Sequence, residues 1–201
     1  IISVYMLKRD QILVTGGAGY LGSVLVPMLL EAGYKVHVID IFYFGRKSIE
    51  KHASHPNLKI TELYIAHHEN IPNLLKEVDV VIHLSGMSND PSGDLDPNLT
   101  IQTNFLATMS LARRAKAEGI NKFIFISSCS VYGASGSIFL DEQSEVGPVT
   151  LYALSKLQSE NELFPLADSK FSVTALRFAT LFGYSPRMRF DLAINVMAKR
   201  A

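Results

Sequence analysis

The stretch Thr15-Gly16-Gly17-Ala18-Gly19-Tyr20-Leu21-Gly22 constrains this chain more than any other. It follows a short apolar run, Ile12-Leu13-Val14, and opens an amphipathic stretch from Tyr20 to Ala32, which reads as strand, glycine turn and helix. One glycine permits the tight turn, one lets the backbone approach a pyrophosphate, and one lets the helix pack close to the strand. The free N–H groups and the positive dipole end of the helix then face the phosphates. A second strand, Lys35-Val36-His37-Val38-Ile39, ends in Asp40. An acid at that place accepts hydrogen bonds from both ribose hydroxyls and repels a 2′-phosphate, so the cofactor expected is NAD rather than NADP.

Strands and helices alternate through the rest of the chain, the pattern of a doubly wound parallel sheet in an α/β fold. Strands are expected near Gln11–Thr15, Lys35–Asp40, Leu58–Leu63, Asp79–Leu84, Lys122–Ile126 and Phe171–Phe178. Helices are expected over Tyr20–Ala32, Ile71–Glu77, Asn98–Glu118, Leu151–Leu166 and Asp191–Ala201, with Gly33 and Gly119 each stopping a helix. The segment Ile41–Pro56 reads as irregular, and its basic pair Arg46-Lys47 reads as two solvated loop charges.

Net charge is zero and no basic run occurs, so nucleic acid and an anionic membrane surface are not expected partners. The single cysteine, Cys129, leaves no intrachain disulfide and no cysteine-based zinc site. No metal site is expected, and His67-His68 reads as two loop histidines. The start, Ile1 to Tyr5, is too short for a signal-peptide core, Met6 is a candidate natural start, and a reducing cytoplasmic location is the default.

The chemistry-bearing residues come later. Ser127-Ser128-Cys129-Ser130-Val131-Tyr132-Gly133 follows strand five, and Tyr152-Ala153-Leu154-Ser155-Lys156 opens the next helix. Tyr152 and Lys156 are four apart and share a helix face. A free tyrosine has a pKa of about 10 and is a poor base at neutral pH. A nearby ammonium and the positive ring of NAD favour the phenolate, which can then take a proton from a sugar hydroxyl as hydride leaves the same carbon. Ser128 can orient that oxygen.

With these motifs in order, and with Val81-Ile82-His83-Leu84, Leu176-Arg177-Phe178 and Phe182-Gly183 beside them, the chain resembles an extended short-chain dehydrogenase/reductase of the NAD-dependent epimerase/dehydratase family, whose members act on nucleotide sugars. The resemblance runs from about Gln11 to the end. It implies an NAD-binding Rossmann fold over residues 1–183, and over 184–201 the start of a substrate region whose domain is otherwise largely absent. Gly16, Gly19, Tyr20, Leu21 and Gly22 are implied at the pyrophosphate. Asp40 is implied at the adenosine ribose, lined by Ile41, Phe42 and Gly45. Ile65 is implied near the adenine, Leu84, Ser85 and Gly86 along the cofactor, Lys156 and Tyr152 at the nicotinamide ribose, and Ala179 against the nicotinamide. Ser128, Tyr152 and Lys156 are the implied catalytic set. Ser88, Asn89, Ser128 and Thr180 are implied to face the sugar, and Arg187 or Arg189 a diphosphate, although a solvated or ion-paired arginine is an equal reading for the last two.

The departures bear on the reaction. Tyr64-Ile65 stands where the family carries an Asp-hydrophobic pair that holds the adenine amine. Cys129 and Ser130 stand where the 4,6-dehydratase branch carries Asp and Glu, and the decarboxylase branch carries Glu at the second place. Elimination therefore lacks its acid/base pair, and Cys129 reads as a small, buried, inert side chain. Thr180 stands where many 4-epimerases carry Asn. The leading expectation is a nucleotide-sugar epimerase working through a transient 4-keto sugar. The alternatives are a 4-ketoreductase or dehydrogenase with the same residues, and a non-catalytic NAD-binding sensor or scaffold. A homodimer through the helices near Asn98–Glu118 and Leu151–Leu166 is also implied.

Overall fold

The computed structural model describes residues 10–66, 71–88, 95–134, 136 and 139–201. Six strands form one fully parallel sheet: β1 Gln11–Thr15, β2 Lys35–Asp40, β3 Leu58–Glu62, β4 Val80–His83, β5 Lys122–Ser128 and β6 Ser172–Phe178. Their spatial order is β3-β2-β1-β4-β5-β6. The order reverses between β1 and β4, and ligands of such sheets bind in the crevice at that point, outside the carboxyl ends of the strands. The doubly wound Rossmann expectation is borne out.

The central strands are apolar without a break because both of their faces are covered. Alternate side chains enter opposite layers. Ile12 and Val14 of β1 and Val80 and Ile82 of β4 pack with Val26, Leu30 and Ile49 on one side. Leu13 and Val81 pack with Leu111, Ala115, Phe123, Phe125 and Leu163 on the other. The first layer belongs to α1 Gly22–Glu31 and α2 Lys47–Glu50. The second belongs to α3 Ile71–Leu74, the long helix beginning at α4 Pro97–Ile101 and ending in α5 Ala107–Ala117, and α6 Leu151–Leu163. A last helix, α7 Ala193–Arg200, follows β6. No described helix is long and apolar enough to cross a membrane.

Several boundaries differ from the sequence pattern. Helix α1 begins at Gly22, because Leu21, with helical dihedrals but no capping side chain, is its N-cap. Helix α3 stops at Leu74, and α6 passes into a 3-10 turn over Phe164–Leu166. Strand β5 runs on to Ser128, since Ser127 and Ser128 still pair with Arg177 and Phe178. The stretch after Asp40 is not wholly irregular, as it contains α2. Between α4 and α5, Gln102–Leu106 forms a π-helical turn in which the Ala107 N–H reaches back to Gln102 O. The Asn104 carbonyl there accepts from Thr108 Oγ1 at 2.7 Å and Ser159 Oγ at 3.1 Å. Side-chain donors inserted into the backbone ladder are an identifiable cause of such a widening.

Two histidines lie inside the sheet. His37 is hydrogen-bonded to Thr61 Oγ1 at 2.8 Å, and burial followed by Lys59 lowers its pKa to about 4. His83 is 1% exposed, and burial followed by Lys156 lowers its pKa to about 3. Both are neutral in the fold at neutral pH, while the unfolded chain protonates them below about 6.5. The unfolded state therefore binds more protons between those values, and stability falls as pH drops below about 6.5. His83 alone contributes a slope of about 1.4 kcal/mol per pH unit. Urea unfolding at about pH 7 and about pH 5 checks this. A markedly lower midpoint at the acid value is expected, and an unchanged one contradicts it.

Candidate active site

The glycine turn is a close-packed cradle. Gly16 has φ +73°, and a Cβ on it would lie 2.8 Å from Ser85 N. A Cβ on Gly22 would lie 2.5 Å from Gly16 O and 2.6 Å from Gly17 Cα. The turn is thus pressed against both the β4 loop and the start of α1, and only glycine fits either place. Asp40 closes its far side. One carboxylate oxygen accepts from Ala18 N at 2.9 Å and the other from Phe42 N at 2.8 Å. Each oxygen keeps lone-pair capacity for a further donor, which suits a ribose diol. Ile41 is exposed, Phe42 is half-buried with φ +56°, and Gly45 N–H bonds back to Phe42 O at 2.8 Å. The glycine turn, the helix end and the acid fit a dinucleotide.

Arg46 lies over the Phe42 ring at 4.2 Å and is ion-paired with Glu62; Lys47 opens α2 and is exposed. Ile65 is 3% exposed and its side chain is packed in the core. Tyr64 bonds through its hydroxyl to Thr103 Oγ1 at 2.8 Å.

On the other side of the crevice, Leu84, Ser85 and Gly86 leave β4. Their course is held from behind by a chain of buried hydrogen bonds. Ser85 N–H donates to Thr15 Oγ1 at 3.3 Å, Thr15 Oγ1 meets His83 Nδ1 at 2.7 Å, and His83 Nε2 meets Thr108 Oγ1 at 2.8 Å. Since the Thr108 hydroxyl donates to Asn104 O, Nε2 carries the imidazole proton and Nδ1 accepts. Asn104 completes the support: its Oδ1 accepts from Met87 N at 2.7 Å, and its Nδ2 donates to Met87 O at 3.0 Å and to Ser155 Oγ at 3.3 Å. Sequence reasoning missed Asn104, which follows Gln102-Thr103 in the chain and carries no local signal that sets it apart from them.

The Thr150 hydroxyl caps α6 by accepting from Ala153 N at 3.1 Å, which sets the helix phase. Lys156 then points into the protein, 6% exposed, donating to Ile126 O at 2.9 Å. Its ammonium is 4.7 Å from the Phe125 ring centre and 5.9 Å from that of Tyr152, and a Cβ on Gly86 would be 3.6 Å from it. Burial lowers its pKa to about 8, against the opposing pull of Glu160. It is therefore mainly charged at neutral pH. Below it, Glu160 receives Arg177 at 2.7 Å and 3.1 Å and the Ser127 hydroxyl, while Arg177 Nη1 donates to Tyr132 Oη at 3.0 Å. Ser128, at the end of β5, accepts from Ser130 N at 3.2 Å and donates to Ser130 Oγ at 3.1 Å. Cys129, expected to be buried, is exposed, because the 3-10 turn Cys129–Tyr132 directs Val131 into the core instead. Among the described residues, no group of three His, Cys, Asp or Glu converges as metal ligands.

Ala179 and Thr180 follow β6 and are exposed. Arg187 lies 3.6 Å from the Phe44 ring centre, and Arg189 donates to Ser88 Oγ at 3.0 Å and pairs with Asp191. Burial, and then Arg189, lower the Arg187 pKa. Asn89, and with it His67-His68, lies outside the described residues.

Residues 12–200 match the model of the NAD dependent epimerase/dehydratase family. The chain belongs to that family. Among its curated relatives, UDP-glucuronic acid decarboxylase 1 of Xenopus tropicalis is 30% identical over 91% of this chain and 43% of its own. UDP-glucose 4-epimerase of Bacillus subtilis (strain 168) is 31% identical over 89% of this chain and 55% of its own. The chain spans about half the length of these curated relatives. A solved UDP-glucuronic acid 4-epimerase from Bacillus cereus, in complex with UDP-glucuronic acid and NAD, superposes with TM-score 0.86 at 28% identity, covering 94% of this chain and 62% of that one.

Proposed function

We propose that the chain carries the NAD-binding and catalytic half of a nucleotide-sugar 4-epimerase. The observation that carries this reading is the buried Lys156 ammonium, set beside Tyr152 and against the Gly86 backbone at the switch-point crevice. Gly16, Gly19, Tyr20, Leu21 and Gly22 would cradle the pyrophosphate, and Asp40 the adenosine ribose. When bound, NAD supplies the acceptor for hydride from the sugar and its donor on return. Tyr152 Oη takes the proton of the sugar C4 hydroxyl and later gives it back. Lys156 stabilises the phenolate. Ser128 Oγ turns from Ser130 to donate to the same oxygen. Arg187, whose pKa is lowered by burial and then by the neighbouring Arg189, and Arg189 suit a diphosphate, and residues 184–201 begin the substrate-facing region.

The absence of a carboxylate at Cys129 and Ser130 favours epimerisation over elimination. Soluble NAD-loaded protein incubated with UDP-glucose or UDP-glucuronic acid, and followed by NMR, tests the reading. The expected result is the C4-inverted sugar without net accumulation of NADH. Accumulation matching product formation supports a dehydrogenase instead, and no product from any nucleotide sugar supports the non-catalytic alternative.

A further inference from the structure

The segment Gly183–Arg189 crosses the carboxyl ends of the adjacent strands β2, β1 and β4. It touches the loop after β2 through Arg187 on Phe44, the turn after β1 through Ser185, and the loop after β4 through Arg189 on Ser88. It is fastened in the middle. Ser185 is 1% exposed; its hydroxyl donates to Tyr20 O at 2.8 Å, lies 2.9 Å from Ser23 Oγ and accepts from Arg187 N at 3.2 Å. Asn195, 4% exposed on α7, ties both ends of the segment. Its Oδ1 accepts from Gly183 N at 3.0 Å, and its Nδ2 donates to Arg189 O at 3.0 Å and to Tyr20 Oη at 3.2 Å. Tyr20 Oη in turn donates to Gly183 O at 2.7 Å.

We infer that Gly183–Arg189 is a retaining strap for the bound dinucleotide, with Ser185 and Asn195 as the residues that position it. This inference rests on the dinucleotide reading above. A nucleotide lying along the ends of β2, β1 and β4 is crossed by the strap, so its departure requires the strap to lift. Tyr20 serves both functions: its backbone lies in the phosphate-facing turn, while its carbonyl and hydroxyl hold the strap. The strap therefore acts on the escape rate more than on encounter, as most affinity differences between related complexes do.

The test is the kinetics of NADH binding to the purified protein, followed by nicotinamide fluorescence, with release started by excess NAD. Ser185→Ala and Asn195→Ala are expected to release NADH about tenfold faster, the worth of one to two buried hydrogen bonds, with association changed much less. Tyr20→Phe, which removes one hydroxyl, is expected to raise release by a smaller factor and carries the test should Asn195→Ala fail to fold. Wild-type protein that binds no NADH overturns the dinucleotide reading itself. Binding with release rates equal in wild type and variants, or weakening that comes from slower association, overturns the strap and leaves that reading standing.

Discussion

A Tyr152→Phe variant is expected to lose turnover of a nucleotide sugar by roughly 10²–10⁴-fold, the usual worth of a positioned general acid–base group. The change removes one oxygen and leaves the ring on the same helix face. The fold should be intact, because α6 is capped by Thr150 and anchored by Ser155 and Ser159, whose hydroxyls bond Tyr152 O and Ser155 O, neither of which involves the phenol. Cofactor affinity should fall by less than about tenfold, the worth of one hydrogen bond. Steady-state turnover beside direct titration with NADH separates the two effects. A variant that keeps more than about a tenth of the wild-type rate would remove Tyr152 from proton transfer, since even the weakest such role is worth more.

Glu160→Ala is expected to destabilise the fold by about 3–5 kcal/mol, the penalty for stranding one member of a buried ion pair. The Glu160 side chain is 2% exposed and that of Arg177 19% exposed. Removing the carboxylate leaves the guanidinium with Tyr132 Oη as its remaining partner among those described above and strands the Ser127 hydroxyl as well. Urea unfolding measures the loss, and a cost under about 1 kcal/mol would make the pair dispensable. Glu160→Gln should cost less stability, since volume is kept. It also deletes the charge that opposes the downward shift of Lys156, so the lysine should titrate below about 8. Loss of the ammonium would then move to lower pH, and with it the alkaline limit of cofactor-supported turnover.

Legibility in the sequence followed the range of the interaction. The glycine turn could be read because it is set within one strand-turn-helix unit, where backbone conformation and close packing exclude other residues, and Asp40 because it ends the next strand in the chain. Tyr152 and Lys156 could be read because helical spacing alone places them on one face. What local pattern does not carry is the partner across the fold. Asn104 meets Met87 and Ser155 only after the sheet and α6 are assembled. Ser185 meets Ser23 from the other end of the chain. The exposure of Cys129 depends on how a four-residue turn is tilted, a choice that its neighbours Ser128 and Ser130 make by hydrogen bonding to each other. Strand β5 outran its apolar stretch for a similar reason, as polar Ser127 and Ser128 are kept in the ladder by β6.

The π turn at Gln102–Leu106 bears on which genetic lesions this chain tolerates. The turn holds one more residue than an α-helical path of the same length would. An in-frame loss of a single codon there leaves a sound, continuous helix, and by helical propensity alone the lesion is silent. The deletion returns the turn to the α-helical path and keeps its two flanks in phase, whereas the gain of one codon rotates everything after it by about 100° relative to everything before it. Either Thr108 and the apolar face of α5 or the carboxamide of Asn104 must then leave its place, and the support behind the β4 loop comes apart while the helix itself survives. Point substitutions on the outer face of this helix and the loss of one residue from the turn should be absorbed more readily than an added residue.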